Sequence, residues 1–520
     1  MNGLENSLDD SDDPFGNIFK SLFVLQNQTE IEKIFNIDTV TKGYVSPISI
    51  KETTIINKVY RNIFGEEVGF YYSWITHYIK WLLFPSVIGL TIHLCKFFFD
   101  TNSLLTLNLL FAAIVILWGS YYVEAWKEAE NVYRYIWGMD SYKLEKNTDI
   151  LKSNAKYIDI EEFMDVNIPV YDQMKQFLIH SFAMLIILLT LLFTIFANLL
   201  VFYIEKMNRE GRDISNLFEG KKANQFAEYV IPMITYFVRE CLSSFNNSIA
   251  VWLTDREINI TKEEYNESLL KKQICFEFFN YYFNLYFIAF GKRYLDTCNY
   301  GDCYLELGNQ LSIIILSNIT VLITKFLYDI LYKRKKMKKF EDTLKKKYKK
   351  NENSSKKLIY YTRNEYTEDR DSLILPIIFN FGYILQFGAS SPISFFFVLV
   401  LTMILRITNG ISMTHLFFMR NMNESQGIGI FNSIQGIIVF LGLFSNLCII
   451  FYTNKQFISM EISKKLLYLV ITENIVFVIL KIGFYIQVPR WFPYKNRIEM
   501  KYLKKHGVRS KQVQKKETNN

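Results

Sequence analysis

The apolar residues of this 520-residue chain are gathered into blocks of about twenty or more, and its charges lie between the blocks. A helix needs about 20 residues to cross the ~30 Å hydrocarbon core of a bilayer, so blocks of this length read as membrane spans rather than as parts of a soluble core. The mean hydropathy of the whole chain, +0.09, hides the pattern because the polar links average against the blocks. Ten blocks can be marked, at about 70–99, 104–126, 177–204, 227–253, 274–290, 305–332, 373–389, 393–413, 428–452 and 466–486. The expected fold class is therefore an all-α integral membrane protein with about ten transmembrane helices. Residues 1–68 are expected to be a short cytosolic amino-terminal segment, 69–489 the ten-helix transmembrane domain, and 490–520 a basic cytosolic tail.

Orientation follows from charge. Lys333–Lys350 holds eleven Lys or Arg in eighteen residues, and ten more lie between Arg490 and Lys516. Positive charge of this density marks the cytosolic side of a membrane. Counting six spans back from the first tract puts the amino terminus in the cytosol, in keeping with its acidic opening at Asp9, Asp10, Asp12 and Asp13 and the lack of a signal pattern there. Both tracts flank spans, so the formal charge of +8 points to anionic phospholipids and not to nucleic acid. The same topology places Cys298 and Cys303 outside the cytosol, where their close spacing suits a small disulfide loop. The other four cysteines sit inside apolar blocks, as small buried hydrophobes do.

No P-loop, nucleophile elbow or H-E-x-x-H pattern is present, and five scattered histidines build neither an enzyme site nor a zinc site. The informative residues are polar ones at membrane depth. Span four carries Arg239, Glu240, Ser243, Asn246 and Asn247, and span five carries Glu277, Asn280 and Asn284. An ionisable group there costs several kcal/mol unless it faces partners or a wet cavity. The steps from Glu240 to Ser243 and on to Asn246 and Asn247 suggest one polar stripe. Two readings remain: interhelical hydrogen bonding in a dry bundle, or a hydrophilic groove that passes ions or lipid headgroups.

These segments bring the chain close to a known family. Val251-Trp252-Leu253-Thr254-Asp255-Arg256-Glu257 is similar to A-L-W-L-T-D-x-E of the anoctamins, the calcium-activated chloride channels and phospholipid scramblases. Phe276-Glu277-Phe278-Phe279-Asn280 and Phe287-Ile288-Ala289-Phe290 follow in the family's order. So do Phe64-Gly65-Glu66 before span one, Trp81-Leu82-Leu83-Phe84-Pro85 within it, and the Cys298 to Leu307 stretch. Phe381-Gly382 and Glu473-Asn474-Ile475-Val476-Phe477 extend the resemblance to about Pro489. The resemblance implies a homodimer of ten-helix subunits, each with a membrane groove lined by helices three to seven.

The chain departs from that family where calcium binds. Positions that are acidic on helix seven become Leu373 and Pro376, and those on helix eight become Leu405 and Asn409. Helix six offers Ile323 to Leu327, with Asp329 as its nearest acid, while Glu365 and Glu368 keep an E-Y-x-E spelling two turns too early. Calcium needs six to eight oxygens, so no metal ligand and no cofactor is assigned. Lys325 and Arg406, with Asp329 and Asn409, become candidate gating residues. Either the two cations supply fixed positive charge where calcium's would lie, or they snorkel to the interface. The amino-terminal domain of many relatives is expected to be cut short.

The preferred function is passive transport of phospholipid between leaflets along the groove, with ion leak, not gated through the usual calcium site. One alternative is an anion (chloride) channel, and another is a membrane tether binding anionic lipid through its basic tracts. The expected location is the plasma membrane or the endoplasmic reticulum, with both termini cytosolic.

Overall fold

The computed structural model describes residues 61, 65–95, 98, 101–139, 159–163, 166–170, 173–209, 221–257, 259, 262–295, 298, 303–347, 370–412, 425–453 and 460–487. Most of the amino-terminal segment, the basic tail, Glu365 and Glu368 lie outside these residues. Among the described residues, one long helix occupies each apolar block. These are α1 (Glu66–Cys95), α2 (Thr101–Trp137), α3 (Gln173–Arg209), α4 (Lys221–Thr254) and α5 (Lys262–Tyr286), followed by α6 (Cys303–Lys347), α7 (Arg370–Phe387), α8 (Ser394–Ile411), α9 (Phe431–Thr453) and α10 (Ile462–Gln487). After Tyr286, α5 widens into a π-turn over Phe287–Gly291 and closes with the turn Lys292–Leu295.

Two features go beyond the hydropathy pattern. A two-stranded antiparallel hairpin, β1 (Asp159–Phe163) and β2 (Val166–Val170), pairs Asp159 with Val170 in the link between α2 and α3. Among the described residues, six helical stretches are long and apolar enough to cross a membrane on their own composition: Glu66–Cys95, Thr106–Trp137, Gln176–Ile204, Cys303–Tyr332, Ser394–Ile411 and Phe431–Tyr452. Among the others are α4 and α5, which carry the polar residues singled out above.

The chain divides into two compact units. The smaller one gathers Met1–Thr76, Lys333–Thr367 and Arg406–Ser425. Within it, Asn409 donates from Nδ2 to the Tyr71 hydroxyl at 2.8 Å, and Arg61 pairs with Glu66 at 3.1 Å.

The larger unit comprises His77–Tyr332, Glu368–Leu405 and Gln426–Asn520. Several of its helix ends are tied by specific contacts. The Glu130 carboxylate near the close of α2 accepts from the Ile428 backbone N–H at 2.7 Å, in the turn before α9, and from Asn432 Nδ2 of α9 at 2.6 Å. Just beyond α4, Glu257 pairs with Lys272 of α5 at 2.7 Å, and both are buried. In another part of the unit, the start of α6 docks on the turn between α7 and α8. Tyr304 donates to the Ala389 carbonyl at 2.6 Å, and the Ser312 and Ser391 hydroxyls lie 2.8 Å apart. Gly308 is pressed so closely on the Ser390 carbonyl that a Cβ would collide with it. Lys292 and Glu306 form a buried ion pair across the α5–α6 link, and Cys298 and Cys303 are joined as a disulfide within that link, with Cα atoms 5.1 Å apart.

Candidate functional site

The buried face of α4 runs through Thr235, Arg239, Leu242, Asn246, Ala250 and Leu253, at helical steps of three and four. Arg239 is the one strongly charged group on that face. A guanidinium does not give up its proton in a protein, so its charge must be met by partners. Nη1 donates to the Tyr383 hydroxyl at 3.1 Å, and Nη2 donates to Asn318 Oδ1 at 2.8 Å and to Glu240 Oε1 at 2.9 Å. The rings of Tyr236 and Tyr281 lie 4.3 and 4.7 Å from its Cζ. Cation–π contacts of this kind contribute about 0.5–2 kcal/mol each, the upper end applying where water is excluded.

The partners belong to four helices. Asn280 of α5 donates to the Arg239 carbonyl at 3.0 Å, and Ser243 of α4 donates to Glu277 of α5. Asn318 of α6 donates on to Asn380 of α7 at 3.0 Å, and the Tyr383 hydroxyl also reaches the Tyr281 carbonyl at 3.1 Å. Asn380 in turn donates at 2.7 Å to the carbonyl of Pro376, within its own helix. Arg239, Tyr281, Asn318, Asn380 and Tyr383 lie near the middle of their apolar blocks. The arginine therefore ties α4 to α5, α6 and α7 at mid-depth, where an unpaired charge costs at least about 3 kcal/mol.

The expected single stripe divides in two. Successive residues advance about 100° around a helix, so Asn247 lies within about 20° of Glu240, whereas Asn246 is turned about 120° away. Glu240, Ser244 and Asn247 are exposed, Ser243 is half-buried, and Asn246 is 1% exposed. Gln273 of α5 donates to Asn247 at 2.6 Å, extending the exposed row onto the next helix. On the inner face, Asn246 and one amide oxygen each of Asn198, Asn280 and Asn284 find no hydrogen-bond partner among the described residues. Buried polar atoms left this way cost roughly 1–3 kcal/mol each unless water or a ligand reaches them.

The gating candidates lie in both units. Lys325 is exposed and Asp329 half-buried on the later part of α6. In the smaller unit Arg406 is 1% exposed, so the snorkelling reading does not describe it, and the Asn409 amide is spent on Tyr71. No group of three His, Cys, Asp or Glu able to hold a metal ion occurs among the described residues. Leu373 and Leu405 offer no side-chain oxygen, and the Pro376 carbonyl already accepts from Asn380. The donor set at these positions does not fit calcium, which takes mainly carboxylates.

The interhelical partners of Arg239 were not legible in the sequence, because Asn318 and Tyr383 lie 79 and 144 residues away. The ion pairs Lys272–Glu257 and Lys292–Glu306 were missed likewise, since each lysine stands two residues outside the apolar block at 274–290, where a charge calls for no partner.

A family model described as "Anoctamin: Calcium-activated chloride channel" matches residues 60–502. Anoctamin-5 of Homo sapiens is 20% identical over 485 residues, covering 76% of this chain and 50% of that protein. Anoctamin-5 of Mus musculus is 21% identical over 334 residues, 49% of this chain and 36% of the relative, and Anoctamin-3 of Homo sapiens is 23% identical over 321 residues, 49% and 32%. The matched region spans half or less of each relative's length.

Proposed function

The chain belongs to the anoctamin family of multi-pass membrane proteins, and from that premise we propose that it passes phospholipid between leaflets along the exposed row of α4. The observation that carries this reading is the row itself: Glu240, Ser244 and Asn247 are exposed in the middle of the block at 227–253. Apolar side chains would be less costly on a helix face meeting only hydrocarbon. A polar row gives a headgroup hydrogen-bonding partners at each step while the acyl chains stay in the bilayer. The ammonium of a headgroup meets the Glu240 carboxylate, and its phosphate meets the amides of Asn247 and Gln273.

Arg239 stands immediately behind this row. Its guanidinium holds the α4 backbone against α6 and α7, so the width of the path depends on whether those hydrogen bonds are made. A second reading, anion conduction, draws support from the same residue, since a buried cation in the wall lowers the barrier for chloride. Assembly as a homodimer, both termini in the cytosol, and residence in the plasma membrane or endoplasmic reticulum belong to the same proposal. Because the donor set at the family's calcium positions does not fit that ion, the activity is proposed to run without it.

The test is reconstitution of the purified protein in liposomes, with dithionite bleaching of labelled lipid and ion flux recorded together, in chelator and in millimolar calcium. Bleaching beyond the outer-leaflet share in both conditions is expected. Bleaching confined to that share overturns the lipid reading, and ion flux alone moves the assignment to a channel. Strong calcium stimulation sinks calcium independence and returns Glu365 and Glu368 as ligands.

A further inference from the structure

Pro85 lies within α1 and brings no N–H to the helix, so the carbonyl four residues earlier, that of Trp81, loses its usual donor. Trp118 of α2 replaces it, its indole N–H donating to the Trp81 carbonyl at 2.8 Å. Such breaks are tolerated in membrane helices when a neighbour satisfies the freed group. Beside this junction the two helices leave a cleft of about 670 Å³, within the ~300–1,000 Å³ range of small-ligand sites. Its walls are Lys80, Trp81 and Phe84 of α1 with Ile114, Trp118 and Tyr121 of α2. No residue of α3 to α7 contributes, so the cleft is separate from the polar row of α4.

The lining is graded along the helices. Lys80 and Tyr121 stand at one end with the two indoles, whereas Phe84, 59% exposed, and Ile114 stand at the other. On α2 the run without Lys, Arg, Asp or Glu, residues 101–123, ends just beyond Tyr121, at Glu124 and Lys127, and on α1 Lys80 is the one such residue between Val68 and Cys95. Trp and Tyr collect at the headgroup boundary of a membrane, and a lysine there carries its charge to the phosphate layer. An occupant of this cleft therefore meets a cation, a hydroxyl and indole rings at one end and hydrocarbon at the other.

We propose that the cleft between α1 and α2 binds one anionic glycerophospholipid, with its phosphate against the Lys80 ammonium and a chain along Phe84 and Ile114. In the orientation favoured by the basic tracts, this lipid sits in the cytosolic leaflet. A sterol shares the apolar requirement but supplies no anion for Lys80.

The test uses the full chain, purified in detergent and studied by native mass spectrometry with added phosphatidylserine, phosphatidylcholine or cholesterol. Phosphatidylserine should be retained at one molecule per chain in preference to the other two. Lys80→Gln should weaken retention about tenfold, the scale of a lost charge-assisted hydrogen bond, and Lys80→Arg should preserve it. Ile114→Trp, which fills the apolar end, should also release the lipid, and it carries the test alone if Lys80→Gln fails to fold. Equal retention of phosphatidylserine and phosphatidylcholine, preferential retention of cholesterol, or unchanged retention in the folded variants overturns the site.

Discussion

The hydroxyl of Tyr282 on α5 occupies the place where a side chain at Gly382 on α7 would begin, and it donates to the Phe379 carbonyl at 2.9 Å. Gly382→Ala is therefore an overpacking change in a fully buried position, expected to cost about 1–3 kcal/mol. Thermal unfolding of the detergent-solubilised protein should show a lowered midpoint. Tyr282→Phe in the same chain should recover part of the loss, because it removes the atom that meets the new methyl group.

Asn318 is the only described residue of α6 seen to bond Arg239, and Asn318→Ala removes that bond and the one to Asn380 together. Arg239 keeps Tyr383 and Glu240, so the stability cost should stay within roughly 1–3 kcal/mol. With α4 and α6 no longer tied at mid-depth, lipid bleaching in liposomes should be several-fold faster. A rate equal to or below that of the unaltered protein would remove Arg239 from control of the path.

Glu240→Leu and Asn247→Leu replace the exposed row; the first also takes one partner from Arg239, which keeps Tyr383 and Asn318. Each should slow lipid passage, and the pair together should slow it further. Asn246→Leu, on the opposite face, should alter stability more than rate. If the three variants behave alike, the division of α4 into two faces has no bearing on transport.

In a variant that retains only Cys298 and Cys303, maleimide should label neither residue without reductant and both after it. Loss of the bridge should loosen the junction where Lys292 pairs with Glu306. Full labelling without reductant would place this link in a reducing compartment and reverse the assigned orientation.

Among the described residues a long helix lies over each apolar block, and six of these stretches are apolar enough by themselves to cross a membrane. The apolar block that begins near 274 does not mark the start of α5, which lies at Lys262, because Lys262–Gln273 is charged and continues the helix outside the block. The β1–β2 hairpin escaped notice within a stretch read only as charged. Arg239 was legible as a residue in need of partners, yet nothing local names Asn318 or Tyr383, since pairings between distant helices depend on how whole helices pack. The division of Glu240 from Asn246 was available from helical geometry alone: two successive steps of three, by way of Ser243, drift about 120° around the axis.

The docking of α6 gives that helix the mechanics of a cantilever. Its root is fixed by Tyr304, Gly308 and Ser312 on the α7–α8 turn, and beyond Asn318 its side chains are mostly exposed, among them Leu327, Tyr328, Leu331 and Tyr332. From Ser312 to Tyr332 the lever is about 30 Å long at ~1.5 Å per residue. A tilt of about 10° about the root would move Tyr332 by about 5 Å but Asn318 by only about 1.5 Å. A displacement that size at Asn318 is comparable to the slack in one hydrogen bond, so a broad swing at the far end arrives at Arg239 as a single bond made or broken.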